Sequence, residues 1–228
     1  MYFVPMRDLI DKFINFLKWP VAVFAAASLP SLFQSVKYFN FTNFRFLLLV
    51  GGVGIYFMAS RVMDKSLKTS QQVLAHELTH AFFALLTFHK VKGVNIKEDD
   101  SGGMMKFEGK GNWLIIAAPY FFPFFCMVYI VVASIFLIFF PMGIFYHLFL
   151  GYFIGYYVDA VFSQIHDKQT DLAELGPLFC LMFLPSANLW MMGNLLAYNT
   201  RGFDGIALYQ KLLWQANLAN WGDFFSFL

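Results

Sequence analysis

Long apolar runs dominate this sequence and limit it to one kind of fold. A helix that crosses the hydrocarbon core of a bilayer needs about 20 mostly apolar residues. Lipid offers the backbone no hydrogen bonds, so such segments must satisfy their own polar groups as helices. Six segments reach or approach this length: 19–36 (interrupted by Pro30), 44–60, 68–88, 113–138, 142–165 and 178–199. The sequence therefore predicts an all-α, polytopic membrane helix bundle with about six transmembrane helices.

Composition supports a membrane protein and excludes other classes. Of the 228 residues only 13% are charged, which is about half the share found in soluble domains. The net charge of +2 is too small to indicate a nucleic-acid partner. The two cysteines lie in separate apolar runs, so they predict no disulfide framework. We expect an integral, multi-pass protein whose partner is the lipid bilayer. The Lys and Arg residues divide evenly between its two sides and predict no orientation.

The sequence contains no linker or internal repeat, so we predict one integral-membrane domain over residues 1–228. Residues 1–18 carry charges among apolar residues at helical spacing, which favours an amphipathic segment at the membrane interface; a soluble tail is the alternative.

Residues 90–112 form the largest aqueous loop. Short strand candidates at 94–97 and 104–108 flank a turn rich in Asp and Gly. They predict a small surface β-hairpin, with an irregular loop as the alternative.

The most specific motif is HELTH at residues 76–80. On a helix, His76 and His80 share a face, so their neutral imidazoles can hold one zinc ion. Glu77 projects beside that ion, where it can take a proton from a zinc-bound water. This is the HExxH arrangement of zinc peptidases. The alternative is a pair of structural histidines hydrogen-bonded to neighbouring helices.

HELTH within an apolar helix resembles the site-2-protease clan of intramembrane zinc metalloproteases. Three further stretches are similar to the short branch of that clan that lacks soluble domains. EDDSGGMMKFEGKG resembles its strand-turn-strand loop, and IIAAPYFFPFF (115–125) resembles its AAGYxxP helix start, with Pro119 in place of glycine. QTDLAEL (169–175) resembles its Ser-Asp-Ala segment, with Thr170 and Asp171 in the Ser-Asp places.

A catalytic zinc site usually has three protein ligands and one open position, and three aspartates compete for the third. The resemblance implies Asp171, at the start of a helix that Thr170 would cap. Asp159 is the most clearly embedded in an apolar run, and an unpaired carboxylate there would be costly. Asp204 resembles the Leu-Asp-Gly motif of larger clan members. We predict Asp171 as the ligand and keep Asp159 as the reserve.

The predicted function is a zinc-dependent metalloendopeptidase that hydrolyses a peptide bond in or next to the membrane. Its substrate would be a membrane protein or a membrane-bound peptide, unwound locally to free its carbonyls. The hairpin at 94–108 would offer a strand edge to that substrate, with Lys106 as a backbone donor. Two alternatives are a catalytically silent membrane scaffold or chaperone, and a zinc-dependent hydrolase of lipid amides or esters.

Overall fold

The computed structural model describes residues 6–96, 103–140, 143–166 and 169–226. Helices account for most of this part of the chain, and two short strands form an antiparallel pair. In chain order the helices are α1 (Met6–Phe16), α2 (Lys18–Gln34), α3 (Phe44–Val62), α4 (Lys65–Leu86), α5 (Trp113–Ala117), α6 (Phe124–Phe139), α7 (Gly143–Gln164), α8 (Thr170–Leu175) and α9 (Pro177–Ser226). The strands, β1 (Val91–Ile96) and β2 (Gly103–Phe107), lie between α4 and α5. The predicted fold class, helices with a small hairpin, is confirmed.

Fewer helices than predicted are apolar enough to cross a membrane. Within the described residues four pass by length and hydropathy, and the bent pair α5–α6 brings the number to five if it counts as one span. The four are Lys18–Tyr38, Phe44–Val62, Gly143–Gln164 and Pro177–Gly222. The predicted span 68–88 does form helix α4, but the polar HELTH motif and its neighbours lower its hydropathy. These helices support a membrane protein.

The predicted span 113–138 is a broken helix. α5 and the turn after it end at Tyr120, and α6 begins at Phe124 after a bend of 80°. Pro123 precedes α6, and a proline both lacks an N–H and disfavours helical backbone in the residue before it. The segments on both sides of the bend pack against α4.

α3 and α7 pack unusually closely, and glycines allow it. A Cβ atom placed on Gly52 would collide with the backbone of Leu148, and one on Gly151 would collide with the backbone of Leu49. Gly155, one turn after Gly151, lies against the Tyr56 ring in the same way. Small residues spaced four apart let helix backbones approach in membranes, where packing replaces the hydrophobic effect.

α9 continues well beyond the predicted span 178–199. It is kinked at Arg201 and Gly202, where Gly202 has φ +61°, a conformation that glycine adopts at little cost. The kink separates a first leg, 177–200, from a second leg, 203–226. The second leg returns along α2, and Asn220 donates to Ser31 Oγ at 2.7 Å.

The predicted hairpin is confirmed, with Val94 paired to Met105 and Asn95 to Met104; its turn lies outside the described residues.

α1 packs against the residues that flank the hairpin. Its Asp11 is buried and accepts hydrogen bonds from Asn112 Nδ2 at 2.7 Å and from His89 Nε2 at 3.0 Å. The amino-terminal helix is thereby fixed beside the hairpin.

Candidate metal centre

The two histidines of HELTH converge at the middle of α4. Asp64 caps the helix by accepting from the backbone N–H groups of Ser66 and Leu67. His76 and His80 follow on one face, one turn apart, and their Nε2 atoms lie 3.0 Å from each other. The helix therefore holds the pair as the spacing predicts.

Asp171 completes this cluster from α8. Its Oδ2 lies 3.2 Å from His76 Nε2 and 3.1 Å from His80 Nε2. Among the described residues, these three side chains form the one group of His, Cys, Asp and Glu ligand atoms that lie within 4.8 Å of one another. The structure thus brings together the three residues that the sequence analysis chose as metal ligands.

Local features of α8 place Asp171 there. The helix ends at Gly176, whose φ of +86° suits glycine, and Pro177 then begins α9 at a position where proline is favoured. Lys18 Nζ donates to the Leu175 carbonyl at 2.9 Å and holds the end of α8. Thr170 is the first helical residue, and the preceding Gln169 makes no side-chain cap, so the predicted Thr170 cap is wrong.

The hydrogen bond made by the Nδ1 atom of each imidazole fixes its tautomer. His80 Nδ1 lies 2.8 Å from the carbonyl oxygen of Ile115, which can only accept, so this nitrogen carries the hydrogen. His76 Nδ1 lies 3.1 Å from Gln164 Oε1, and the Gln164 amide is oriented by donating its N–H to the Gln72 carbonyl. His76 Nδ1 is therefore also the donor. Both Nε2 atoms are left with lone pairs facing the cluster.

The donor set fits a zinc ion. Two imidazole lone pairs and a carboxylate oxygen converge, and such a set attracts a cation. Bond lengths of about 2.0–2.2 Å around a tetrahedral zinc separate neighbouring ligand atoms by about 3.3–3.6 Å. The observed separations of 3.0–3.2 Å lie just below that range.

The cluster lines a cleft with a volume of about 830 Å³, and Glu77 lies in this cleft as well. Its side chain is buried, and the backbone of Met105 is hydrogen-bonded to its carboxyl. A Cβ atom on Gly103 would collide with the Glu77 side chain. The strand β2 therefore forms one wall of the cleft directly against the carboxyl of HELTH.

Tyr120 closes the other side of the cluster. Its ring is fully buried against His76, and its hydroxyl lies 3.3 Å from Asp171 Oδ2. Asn188 on α9 donates to the Tyr120 carbonyl at 2.9 Å and accepts from Tyr157 at 2.5 Å. The α5–α6 bend is thereby tied to α9 behind the cluster.

The competing aspartates lie outside the cluster. Asp159 Oδ2 accepts from Tyr56 at 2.6 Å and from Gln72 at 3.0 Å, and it lies 2.8 Å from Lys68 Nζ. Its charge is thus compensated without a metal. Asp204 lies exposed at the start of the second leg of α9. The case for Asp159 assumed that its embedded carboxylate is unpaired, and the ion pair with Lys68 removes that assumption.

Sequence reasoning missed the groups that orient the histidines. The Ile115 carbonyl belongs to the backbone, which every residue has, so the sequence could not identify it as a partner of His80. Gln164 did leave a signal, since an amide at the end of a long apolar helix is costly unless it has partners.

We expect Gln164→Leu to weaken zinc binding by about 10–100-fold, the usual effect of removing a group that orients a ligand. Gln164→Glu keeps an acceptor for His76 Nδ1–H and should retain most of the affinity. Ser163→Ala is the matched control, because that hydroxyl contacts Gln72 and not the histidines. Competition with chelators of graded strength measures the three affinities. Equal affinities for Gln164→Leu and the parent would show that His76 needs no orienting partner.

A family model described as Peptidase M50B-like matches residues 48–157. No curated protein and no solved structure matches the chain. The matched segment contains α4 with the whole HELTH motif, the hairpin and most of α7. It ends before Asp171, so the third member of the cluster rests on geometry.

Proposed function

We propose that this chain is a multi-pass zinc metalloendopeptidase of the site-2-protease family, an assignment that the Peptidase M50B-like match over residues 48–157 supports. It hydrolyses a peptide bond of a membrane protein or membrane-bound peptide, in or next to the bilayer. His76, His80 and Asp171 hold the zinc, and Glu77 is the general base.

One observation carries this proposal. Both Nδ1 atoms of the histidine pair face acceptors, so two Nε2 lone pairs and a carboxylate oxygen meet within 4.8 Å. Three electron-rich atoms repel one another unless a cation lies between them.

The cluster, Glu77 and Tyr120 have separate roles in the proposed reaction. Zinc held by the cluster would supply Lewis acidity, polarising the scissile carbonyl and lowering the pKa of a coordinated water. Glu77 takes the proton from the attacking water and then transfers it to the leaving amine. Glu77 directly follows the ligand His76 on α4 and lines the same cleft as the cluster. Tyr120 holds the Asp171 carboxylate in place by its hydrogen bond.

The hairpin supports binding of an extended substrate, but not through Lys106. Glu108 N–H donates to the Lys90 carbonyl, so by the alternation of an antiparallel ladder the Lys106 amide also faces β1. The choice of Lys106 as a free edge donor is therefore wrong. By the same alternation the amides of Gly103 and Met105 face away from β1, on the side of Glu77. Met105 is already hydrogen-bonded to the Glu77 carboxyl, so the Gly103 amide is the donor that an added substrate strand would use.

Product analysis tests the reaction class. The purified protein would be placed in liposomes with a labelled single-span peptide, and its products identified by mass spectrometry. We expect new peptide termini, and none when a chelator removes the metal. Release of fatty acid from the lipid instead would identify a lipid hydrolase. Intact peptide and lipid with a zinc-loaded protein would favour the scaffold.

A further inference from the structure

A second cavity lies between α2 and the two legs of α9, apart from the metal cluster. Its volume is about 360 Å³, which is in the range of about 300–1,000 Å³ typical of small-molecule sites. No residue of the cluster lines it. Its apolar wall includes Phe24 and Leu32 from α2, Phe183 and Trp190 from the first leg, and Leu213 and Trp214 from the second leg.

Two polar atoms of residues in this wall, Ser186 Oγ and Asn217 Oδ1, have no hydrogen-bond partner in the described part of the chain. Each residue is only 3% exposed. Other polar side chains of the wall are satisfied, since Ser28 donates to the Phe24 carbonyl and Gln210 donates to Asn194. An unpaired buried polar atom is costly, above all among membrane helices where water is scarce.

The wall also defines the chemistry of a ligand. No charged side chain lines the cavity, so an ionised group would be poorly solvated there. Asn217 Oδ1 can only accept a hydrogen bond, whereas Ser186 Oγ can donate or accept. A hydroxyl group supplies the donor that Asn217 lacks and can also accept from Ser186.

The route of entry follows from exposure. Phe24 and Trp214 are about half exposed, at 48% and 51%, and Phe24 belongs to a helix, α2, that is apolar enough to span the membrane. The exposed face of α2 at Phe24 therefore meets lipid, and a ligand can enter from the bilayer.

We propose that this cavity binds an uncharged lipid alcohol from the surrounding bilayer. The hydroxyl donates to Asn217 Oδ1, and the hydrocarbon chain packs between the aromatic side chains of α2 and α9. The site is separate from the cleft that contains Glu77.

The two tryptophans in the wall allow a direct test with bromine-labelled probes, since bromine quenches tryptophan fluorescence on contact. The purified protein in detergent is titrated with 11-bromoundecan-1-ol and, in parallel, with 1-bromoundecane. We expect the alcohol to quench at about tenfold lower concentration, the scale of one hydrogen bond to an otherwise unpaired acceptor. A double variant, Trp190→Phe with Trp214→Phe, should lose the saturable quenching, although three other tryptophans remain among the five of the chain.

Substitutions of the two residues with unpaired polar atoms test whether those atoms bind the hydroxyl group. Asn217→Leu should abolish the preference for the alcohol while keeping affinity for the bromoalkane, because only the acceptor is removed. Ser186→Ala should reduce the same preference and serves if the leucine variant does not fold. Ser28→Ala is the matched control and should keep the full preference, because that hydroxyl already has an internal partner. Equal affinity for both probes in the parent would overturn the proposal, as would an unchanged preference in both Asn217→Leu and Ser186→Ala. Neither result bears on the peptidase, because probe binding requires neither zinc nor Glu77.

Discussion

Glu77→Gln is expected to retain its zinc and to lose about 10²-fold or more of its peptidase turnover. The amide preserves the shape of the side chain but cannot accept a proton from water near neutral pH. Zinc content should be unchanged, because the cluster consists of His76, His80 and Asp171 and does not include Glu77. Elemental analysis and a cleavage assay on the same preparation measure both quantities.

Glu174→Gln is the matched control for this variant. Glu174 lines the same cleft but is exposed and lies outside the cluster. Its loss should leave turnover within a few-fold of the parent, as expected of a residue with no part in the proton transfer. Near-normal cleavage by Glu77→Gln would show that Glu77 is a structural residue.

Asp171→Asn should lose zinc and activity together. Removing a true ligand from a three-residue site removes one of its bonds to the metal, and the amide also removes the negative charge that attracts the ion. The variant should fold, since asparagine is nearly isosteric with aspartate. We expect its zinc affinity to fall by more than the roughly 10–100-fold typical of a group that only orients a ligand.

The other two aspartates provide the comparison. Asp159→Asn removes a charge paired with Lys68, so it should destabilise the contact of α4 with α7 while the protein still binds metal. Asp204→Asn should behave as the parent, because Asp204 is exposed and is not a member of the cluster. Chelator competition ranks the three variants. If Asp159→Asn proves the weakest binder, the assignment of Asp171 as the third ligand is wrong.

Local spacing made the centre of the site predictable. The positions of His76, Glu77 and His80 on one helix follow from a period of 3.6 residues, whatever the rest of the chain does. Asp171 lies about 90 residues further along, and no local rule connects it to α4. Only the resemblance of its segment to the Ser-Asp-Ala motif pointed to it, and the reach of α8 depends on the turn at Gly176.

Tertiary contacts explain what the sequence did not reveal. The apolar run around Asp159 suggested an unpaired carboxylate, but the run does not reveal partners on other helices, such as Lys68 and Tyr56. The second leg of α9 was missed because the predicted span followed an apolar run that ends at residue 199, and the sequence beyond it is more polar. The packing of that leg against α2, through contacts such as Asn220 to Ser31, favours its continuation.

The zinc content of the purified protein, measured by elemental analysis beside that of His76→Ala, tests the central claim most directly. We predict about one zinc ion per chain in the parent and little in the variant, which lacks one of the two imidazole ligands. Absence of any transition metal from the parent after reconstitution with zinc would contradict the account. Equal zinc content in the parent and in His76→Ala would contradict it as well.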